Sequence, residues 1–310
     1  PLLDRLGASV PEEDLVPAGT EAECAARAVA RISASADMTG AAEVEGTSRL
    51  ISYSSSKQIN RVNAVSLTGL EAGATYYYQV GDGSVWSEVR SFTVPAAEKQ
   101  TRFFLLADIQ EEAALEGMGR IANHLAGQYP FGVQLGDAVD NVRYYNQWED
   151  ALSLFTLDGI RNTDMIHVIG NHEADDGGNN AIAAKSVFGV PAAWYSVERG
   201  DVYIAVLNHT SDKDTLQQFT QWLVEDAAKT TCTWKVLVTH VPAYYTNPTG
   251  GGETYVQYLP LPAMRRGSTS TSPAMTTAMP ARRLWSTARW IKTARCTTSA
   301  APPAASPIPS

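Results

Sequence analysis

The chain is short of several things at once. Its 310 residues include only 3 cysteines, Cys24, Cys232 and Cys296. Three thiols without metal-like spacing allow at most one intrachain bridge, so a disulfide framework is excluded and unpaired thiols are the plain expectation. No apolar run comes near the ~20 residues that a membrane helix needs. Positive charge is scarce as well: 24 Lys+Arg against 33 Asp+Glu give a formal net charge of -9. A surface of that sign repels a phosphate backbone, so nucleic acid is not an expected partner. Acid, in turn, runs out before the end, since no Asp or Glu follows Glu253.

What is present suits a globular protein, with 44% hydrophobic and 18% charged residues. The length leaves room for about two domains. The chain begins at Pro1 rather than Met, which is compatible with an upstream segment such as a signal peptide. Residues 1–46 are rich in Ala and Glu and show no readable period. Then Leu50-Ile51-Ser52-Tyr53, Asn60 to Val65 and Val85 to Val94 read as strands, and Leu67 to Val80 as a turn followed by a strand, with Gly81-Asp82-Gly83 as a further turn. Closely spaced strands with glycine turns predict a small all-β sandwich. The run Leu67-Thr68-Gly69-Leu70, Gly73, Tyr76, Tyr78 resembles the fibronectin-like sandwich repeat. The first domain is therefore placed at 1–96, clear from about residue 45, with Pro95 to Lys99 as linker.

From Arg102 the texture becomes strand, helix, strand. Leu115, Met118, Ala122 and Leu125 recur at helical spacing, as do Trp148, Leu152 and Phe155, and Leu216, Phe219 and Leu223. Between them lie apolar runs at Phe103–Ala107, Gly132–Leu135, Met165–Ile169, Val202–Leu207 and Trp234–Val238. This predicts a layered α/β domain over 100–259, whose ligands gather at the carboxyl ends of strands. Four of the runs end in residues that bind metals: Asp108 and Gln110, Asp137, Asn171 with His172, and His240. Each could be a cap or turn residue on its own. Four strand ends in this order point instead to oxygen and imidazole donors converging on a two-metal hydrolytic site. Asp140 and Glu173 read as partners that orient those ligands. His124, His167 and His209 have no supporting spacing and read as structural. Tyr244 and Tyr245 read equally as substrate-pocket or core residues. Gly250-Gly251-Gly252 reads as a loop rather than a phosphate cradle, because no helix clearly follows it.

These blocks resemble the calcineurin-like metallophosphoesterase superfamily, and the added sandwich resembles its purple acid phosphatase branch. The resemblance covers about residues 45–259 and is strongest at Gly136-Asp137 and Gly170-Asn171-His172-Glu173. It implies a β-sandwich flanked by helices and two metal ions, manganese, zinc or iron, that hydrolyse a small phosphate ester, a monoester first of all. Asp108 would bind the first metal, with Gln110 as a weaker ligand. Asp137 would bridge both, and Asn171 and His240 would bind the second. His172 would protonate the leaving alkoxide. Two cations neutralise the ester's charge and acidify a bound water toward pH ~7. The resemblance also implies an extracellular or cell-envelope location. Gln110 stands where the family often has His, and Asp140 where the purple branch has its coloured tyrosinate, so neither purple colour nor an iron requirement is expected. The family's final Gly-His-x-His is absent from the written chain, so impaired turnover is expected. The alternative is a non-catalytic surface or wall-associated module on a stalk.

The last segment, 260–310, is expected to be irregular and foreign to the fold. Ala, Ser, Thr and Pro fill 32 of the 50 positions from 261 to 310, and 7 of the 24 Lys+Arg lie there. A natural disordered linker is one reading. A frameshift is the other. In the frame made of each codon's third base and the next codon's first two, Met275-Thr276 must read Asp and Met279-Pro280 must read Ala. With permitted third bases, the same frame reads Asp-Phe-Tyr-Phe-Ser from Ser268 and Gly-His-Asp-His-Ser-Tyr-Ala-Arg-Thr from Pro273.

Overall fold

The computed structural model describes residues 21–53, 59–96, 101–110, 112–157, 159–174, 181–242, 253–259 and 287–292. The first seven strands are β1 (Glu21–Glu23), β2 (Val29–Ser33), β3 (Ala42–Glu45), β4 (Thr47–Ser52), β5 (Ile59–Ala64), β6 (Thr75–Gly81) and β7 (Arg90–Thr93). They form two antiparallel sheets, β1-β4-β5 and β3-β2-β6-β7. Strands thus begin at Glu21, ahead of the point where alternation becomes readable. β1 and β3 are short and mostly exposed, so they hold their shape through ladders to β4 and β2 rather than through an apolar face. The strand expected from Val85 begins only at Arg90. Asp82 accepts from the amides of Ser84 and Val85 and turns the chain there, while Gln79 and Val80 tie Ser87 back onto β6.

The second domain runs β8 (Phe103–Leu106), α1 (Glu112–Ala126), β9 (Phe131–Gln134), α2 (Tyr145–Phe155), β10 (Asp164–His167), α3 (Asn171–Ala174), α4 (Ile182–Phe188), β11 (Trp194–Arg199), β12 (Val202–Leu207), α5 (Lys213–Ala227), β13 (Trp234–Thr239), α6 (Glu253–Tyr258) and β14 (Thr287–Lys292). One sheet is parallel, in the order β10-β9-β8; the other is mixed, β11-β12-β13-β14, with β12 and β13 parallel. The two sheets face each other through Val133, Ile166, Val202, Ile204, Val206, Val236 and Val238. Alternate residues of β12, Tyr203, Ala205 and Leu207, point the other way and meet Leu216, Phe219 and Leu223 of α5. The outer face of the parallel sheet packs Phe104 and Leu106 against Trp148, Ala151 and Leu154 of α2. Burying each such side chain contributes roughly 1.5–3 kcal/mol. On α2 the fully buried stripe is therefore Trp148, Ala151 and Leu154, with Phe155 partly buried against the same core. β11 shows no readable strand signal, because its hairpin with β12 leaves it only half-buried. A helix, α6, does follow the glycine stretch, which itself lies outside the described residues. The described part of the 260–310 segment is β14, which pairs antiparallel with β13.

The sandwich and the α/β domain share apolar contacts. Ile51 and Tyr53, at the end of β4, belong to the same buried cluster as Phe104, Ile109 and Trp148. The Tyr53 ring tilts onto Tyr145 at 5.6 Å between centroids, and the Ser186 hydroxyl donates to Glu21.

Candidate metal centre

Each strand of the parallel sheet ends two to four residues before Asp108, Asp137 or Asn171, and β13 ends directly before His240. The side chains that follow meet at one edge. Ligand atoms of Asp108, Asp137 and His240 all lie within 4.8 Å of one another. His240 Nε2 is 2.8 Å from Asn171 Oδ1 and 3.1 Å from Asp137 Oδ2. Two ligands ~2.1 Å from one cation and at right angles stand ~3 Å apart, so this spacing fits a shared ion. The His240 Nδ1–H donates to the Leu135 carbonyl at 2.9 Å, which fixes the ring and turns Nε2 toward the carboxylates. Burial opposes protonation of His240, but the hydrogen bond and charge of Asp137, with Asp108 behind it, hold its pKa above the ordinary value. Gln110 lies two residues beyond Asp108, and its buried amide oxygen has no hydrogen-bond partner among the described residues. An orphaned oxygen beside a carboxylate cluster is a suitable donor for a hard cation.

The backbone is bent to make this meeting possible. Asp108 and Asp137 both adopt left-handed conformations, with φ of 53° and 56°. Gly136 has φ of 100°, and a Cβ there would stand 2.8 Å from His240 Nδ1 and 2.7 Å from the Gly170 backbone. A Cβ on Gly170 would stand 2.1 Å from Asp137 Oδ1. The glycines before Asp137 and Asn171 are therefore required by close approach.

His172 and Glu173 belong to the same cluster. The His172 amide donates to Asp137 Oδ1 at 3.1 Å, its Nδ1–H donates to the Asp140 carbonyl at 2.6 Å, and its Nε2 is 3.8 Å from Asp137 Oδ2. Burial lowers its pKa, but the Asp140 carbonyl and the charges of Asp137, Asp140 and Glu173 outweigh that and raise it. Glu173 is buried at 1% exposure. Its Oε2 accepts from the amides of Asp137 and Gly170, and its Oε1 from those of Ala138 and Val139. Burial and the charge of Asp137 push its carboxyl up, against the pull of those amides. Asp140 is largely exposed and stands 3.2 Å from His172 Nδ1.

One residue at this edge was not singled out by sequence spacing. His209 follows β12, the parallel neighbour of β13. Its ring is 6.5 Å from that of His240, its amide donates to the Ile169 carbonyl, and its buried Nδ1 has no partner among the described residues. Burial first, and then the charge of His240, lower its pKa. The signal available was its place at the end of an apolar strand. His167 lies elsewhere, stacked on Phe188 at 4.2 Å. His124, on α1, bonds to Gln128 just beyond that helix. Tyr244 and Tyr245 lie outside the described residues.

A family profile for calcineurin-like phosphoesterases matches residues 101–264. The chain belongs to that family. A profile for the purple acid phosphatase N-terminal domain matches residues 20–94. Among solved structures, the purple acid phosphatase PPD1 from yellow lupin (Lupinus luteus) seeds is similar, with a TM-score of 0.56 at 14% identity over 74% of this chain and 48% of that one. The structure of PhoD is similar with a TM-score of 0.44 at 13% identity, over 71% of this chain and 56% of that one. The chain thus spans about half the length of the solved structures it matches. At 14% identity the likeness to the lupin protein concerns the fold, a layered α/β domain behind an all-β one. No curated protein matches the chain.

Proposed function

We propose that this phosphoesterase fold serves hydrolysis of phosphate monoesters at a pair of metal ions held by Asp108, Asp137, Asn171 and His240, with Gln110 as a weaker donor. The convergence of His240 Nε2 on Asn171 Oδ1 and Asp137 Oδ2 carries the reading. A carboxylate can serve two cations at once, which suits Asp137 to the bridging position. The donor set is mostly oxygen, which favours hard cations such as manganese over softer ones. When bound, the pair supplies charge neutralisation and an acidified water.

The chain's own residues do the rest. His172, with raised pKa and a ring held by Asp140, keeps a proton at Nε2 for the leaving oxygen. Glu173 ties the Asp137 and Gly170 loops together from below. Fixed loops hold the ligands at the separation that a cation needs. The 310-residue chain itself turns over poorly in this reading, because its donor set includes a single imidazole at ligand distance among the described residues.

The test is metal titration with the purified chain. Mn²⁺ or Zn²⁺ should bind, and Asp137→Asn should lose that binding with its circular dichroism unchanged. An intact fold that binds neither ion would overturn the reading. Brisk p-nitrophenyl phosphate hydrolysis by the written chain would overturn the impairment.

A further inference from the structure

We propose that Asn208 is a positioning residue for the metal ligand Asn171, and that it acts by clamping the Ile169 peptide between the two sheets of the phosphoesterase domain. The proposal deepens the reading of this edge as a metal centre and rests on it.

The ligand exits of the parallel sheet are held in two different ways. Those of β8 and β9 bond to each other: the Asp108 amide donates to the Gly136 carbonyl at 3.2 Å, and the Ile109 amide to the Asp137 carbonyl at 3.0 Å. Asp108 and Asp137 thus keep their spacing through the main chain of one sheet. The exit of β10 behaves otherwise. The Val168 amide still donates to the Gln134 carbonyl of β9 at 2.8 Å, but Ile169 turns to the other sheet. Its amide donates to Asn208 Oδ1 at 2.9 Å, and its carbonyl accepts from the His209 amide at 2.8 Å. Both main-chain groups of Ile169 are therefore held at the end of β12. Gly170 and Asn171 follow directly.

This matters because a cation between Asn171 and His240 takes one ligand from each sheet. His240 leaves β13, whose parallel neighbour is β12. The 2.8 Å between Asn171 Oδ1 and His240 Nε2 depends on where the β10 exit stands relative to that pair of strands. The Ile169 clamp fixes that offset. Glu173 ties the next amide, that of Gly170, to the Asp137 loop. Asn208 supplies the tie to the other sheet.

The residue type suits the task. Asn208 is buried at 5% exposure. While its Oδ1 accepts from Ile169, its Nδ2 donates to the Ala192 carbonyl at 2.7 Å, and its own amide donates to the Ala193 carbonyl at 3.0 Å. A side chain that must accept on one side and donate on the other has to be an amide. A carboxylate offers no donor, and leucine, of similar size, offers neither group. The bridge falls two residues before a ligand, where a small shift of the peptide moves the donor atom itself. Partners that orient metal ligands typically change affinity by roughly tenfold or more when they are removed.

Mn²⁺ and Zn²⁺ are titrated into the full chain, Asn208→Leu, Asn171→Ala and the double variant. Asn208→Leu should weaken binding roughly tenfold. In the Asn171→Ala background the same change should cost less than about twofold, because the group it positions is gone. Tyr203→Phe is the matched control: Tyr203 lies on the same strand but bonds to Asp226 on α5. It should lower the urea midpoint and leave metal affinity unchanged. Equal losses from Asn208→Leu in both backgrounds, or a matching loss in Tyr203→Phe, overturn the proposal and leave the metal centre standing. A folded chain that binds neither ion overturns the centre itself, and the role of Asn208 with it. Asn208→Asp keeps the acceptor for Ile169 and gives up the donor to Ala192, and its added negative charge can only favour a cation. It should lose stability and keep its metal affinity. A tenfold loss of affinity in that variant overturns the clamp whether or not Asn208→Leu folds.

Discussion

Both oxygens of Glu173 are taken up by main-chain amides, two each. A glutamine there offers one acceptor oxygen and turns an NH₂ toward the remaining donors. Glu173→Gln should therefore destabilise the fold by roughly 1–3 kcal/mol, the cost of leaving buried amides unsatisfied. Urea melts check this, and metal titration should show roughly tenfold weaker binding as the two loops loosen. His167 supplies a second residue-scale test. Burial in a slot with Phe155 and Phe188 pushes its pKa down to about 3. The unfolded chain takes up a proton below pH ~6.5 while the folded one does not, so stability is complete above that pH and is lost as pH falls toward 3. Between pH 7.5 and 5.0 this amounts to about 2 kcal/mol. His167→Phe should abolish that part of the pH dependence in matched urea melts. An unchanged slope would mean that other groups carry it. At this scale the sequence spoke where a ligand type sits at a strand end, as with Asp108, Asp137, Asn171 and His240. It was silent on the four amides held by Glu173, because three of them arrive from residues 34 to 36 positions away.

The elements matter here through how they end. Gly136 and Gly170 let two strand exits pass each other closely enough for Asp137 and Asn171 to converge on His240. Gly170→Ala would drive a methyl into the Asp137 carboxylate, so it should abolish metal binding and lower stability by more than backbone strain alone. Gly40→Ala is the matched control: its φ is 68° but nothing lies within 4 Å of the added Cβ. Strain there costs roughly 1–3 kcal/mol, with metal binding untouched. Thermal melts with and without Mn²⁺ separate the two cases. Long buried strands such as β12 and β13 were legible because their apolar runs match their length. β1, β3 and β11 were not, since pairing rather than pattern holds them. The nearness of His209 to His240 was not legible for a related reason: it comes from β12 lying beside β13, a neighbourhood that no local spacing reveals.

At the level of the whole molecule, the sandwich and the phosphoesterase domain are joined through Ile51 and Tyr53. Heating should therefore give one cooperative transition, and Tyr53→Ala should lower its midpoint without splitting it. Two separated calorimetric peaks would refute the coupling. Domain order was readable in advance because both halves carry their own texture, whereas this seam joins residues about 50 to 100 positions apart in sequence. Among the described residues, all three apolar clusters are assembled from positions no later than Leu259. Of the described pairings, a chain ending there should lose that of β14 with β13, and its urea midpoint should stay close to that of the 310-residue form. Quality-control machinery that recognises exposed greasy surface would meet a finished globule and let it pass. A gene damaged beyond that point can therefore keep yielding a durable, long-lived product whose defect shows only when chemistry is asked of it.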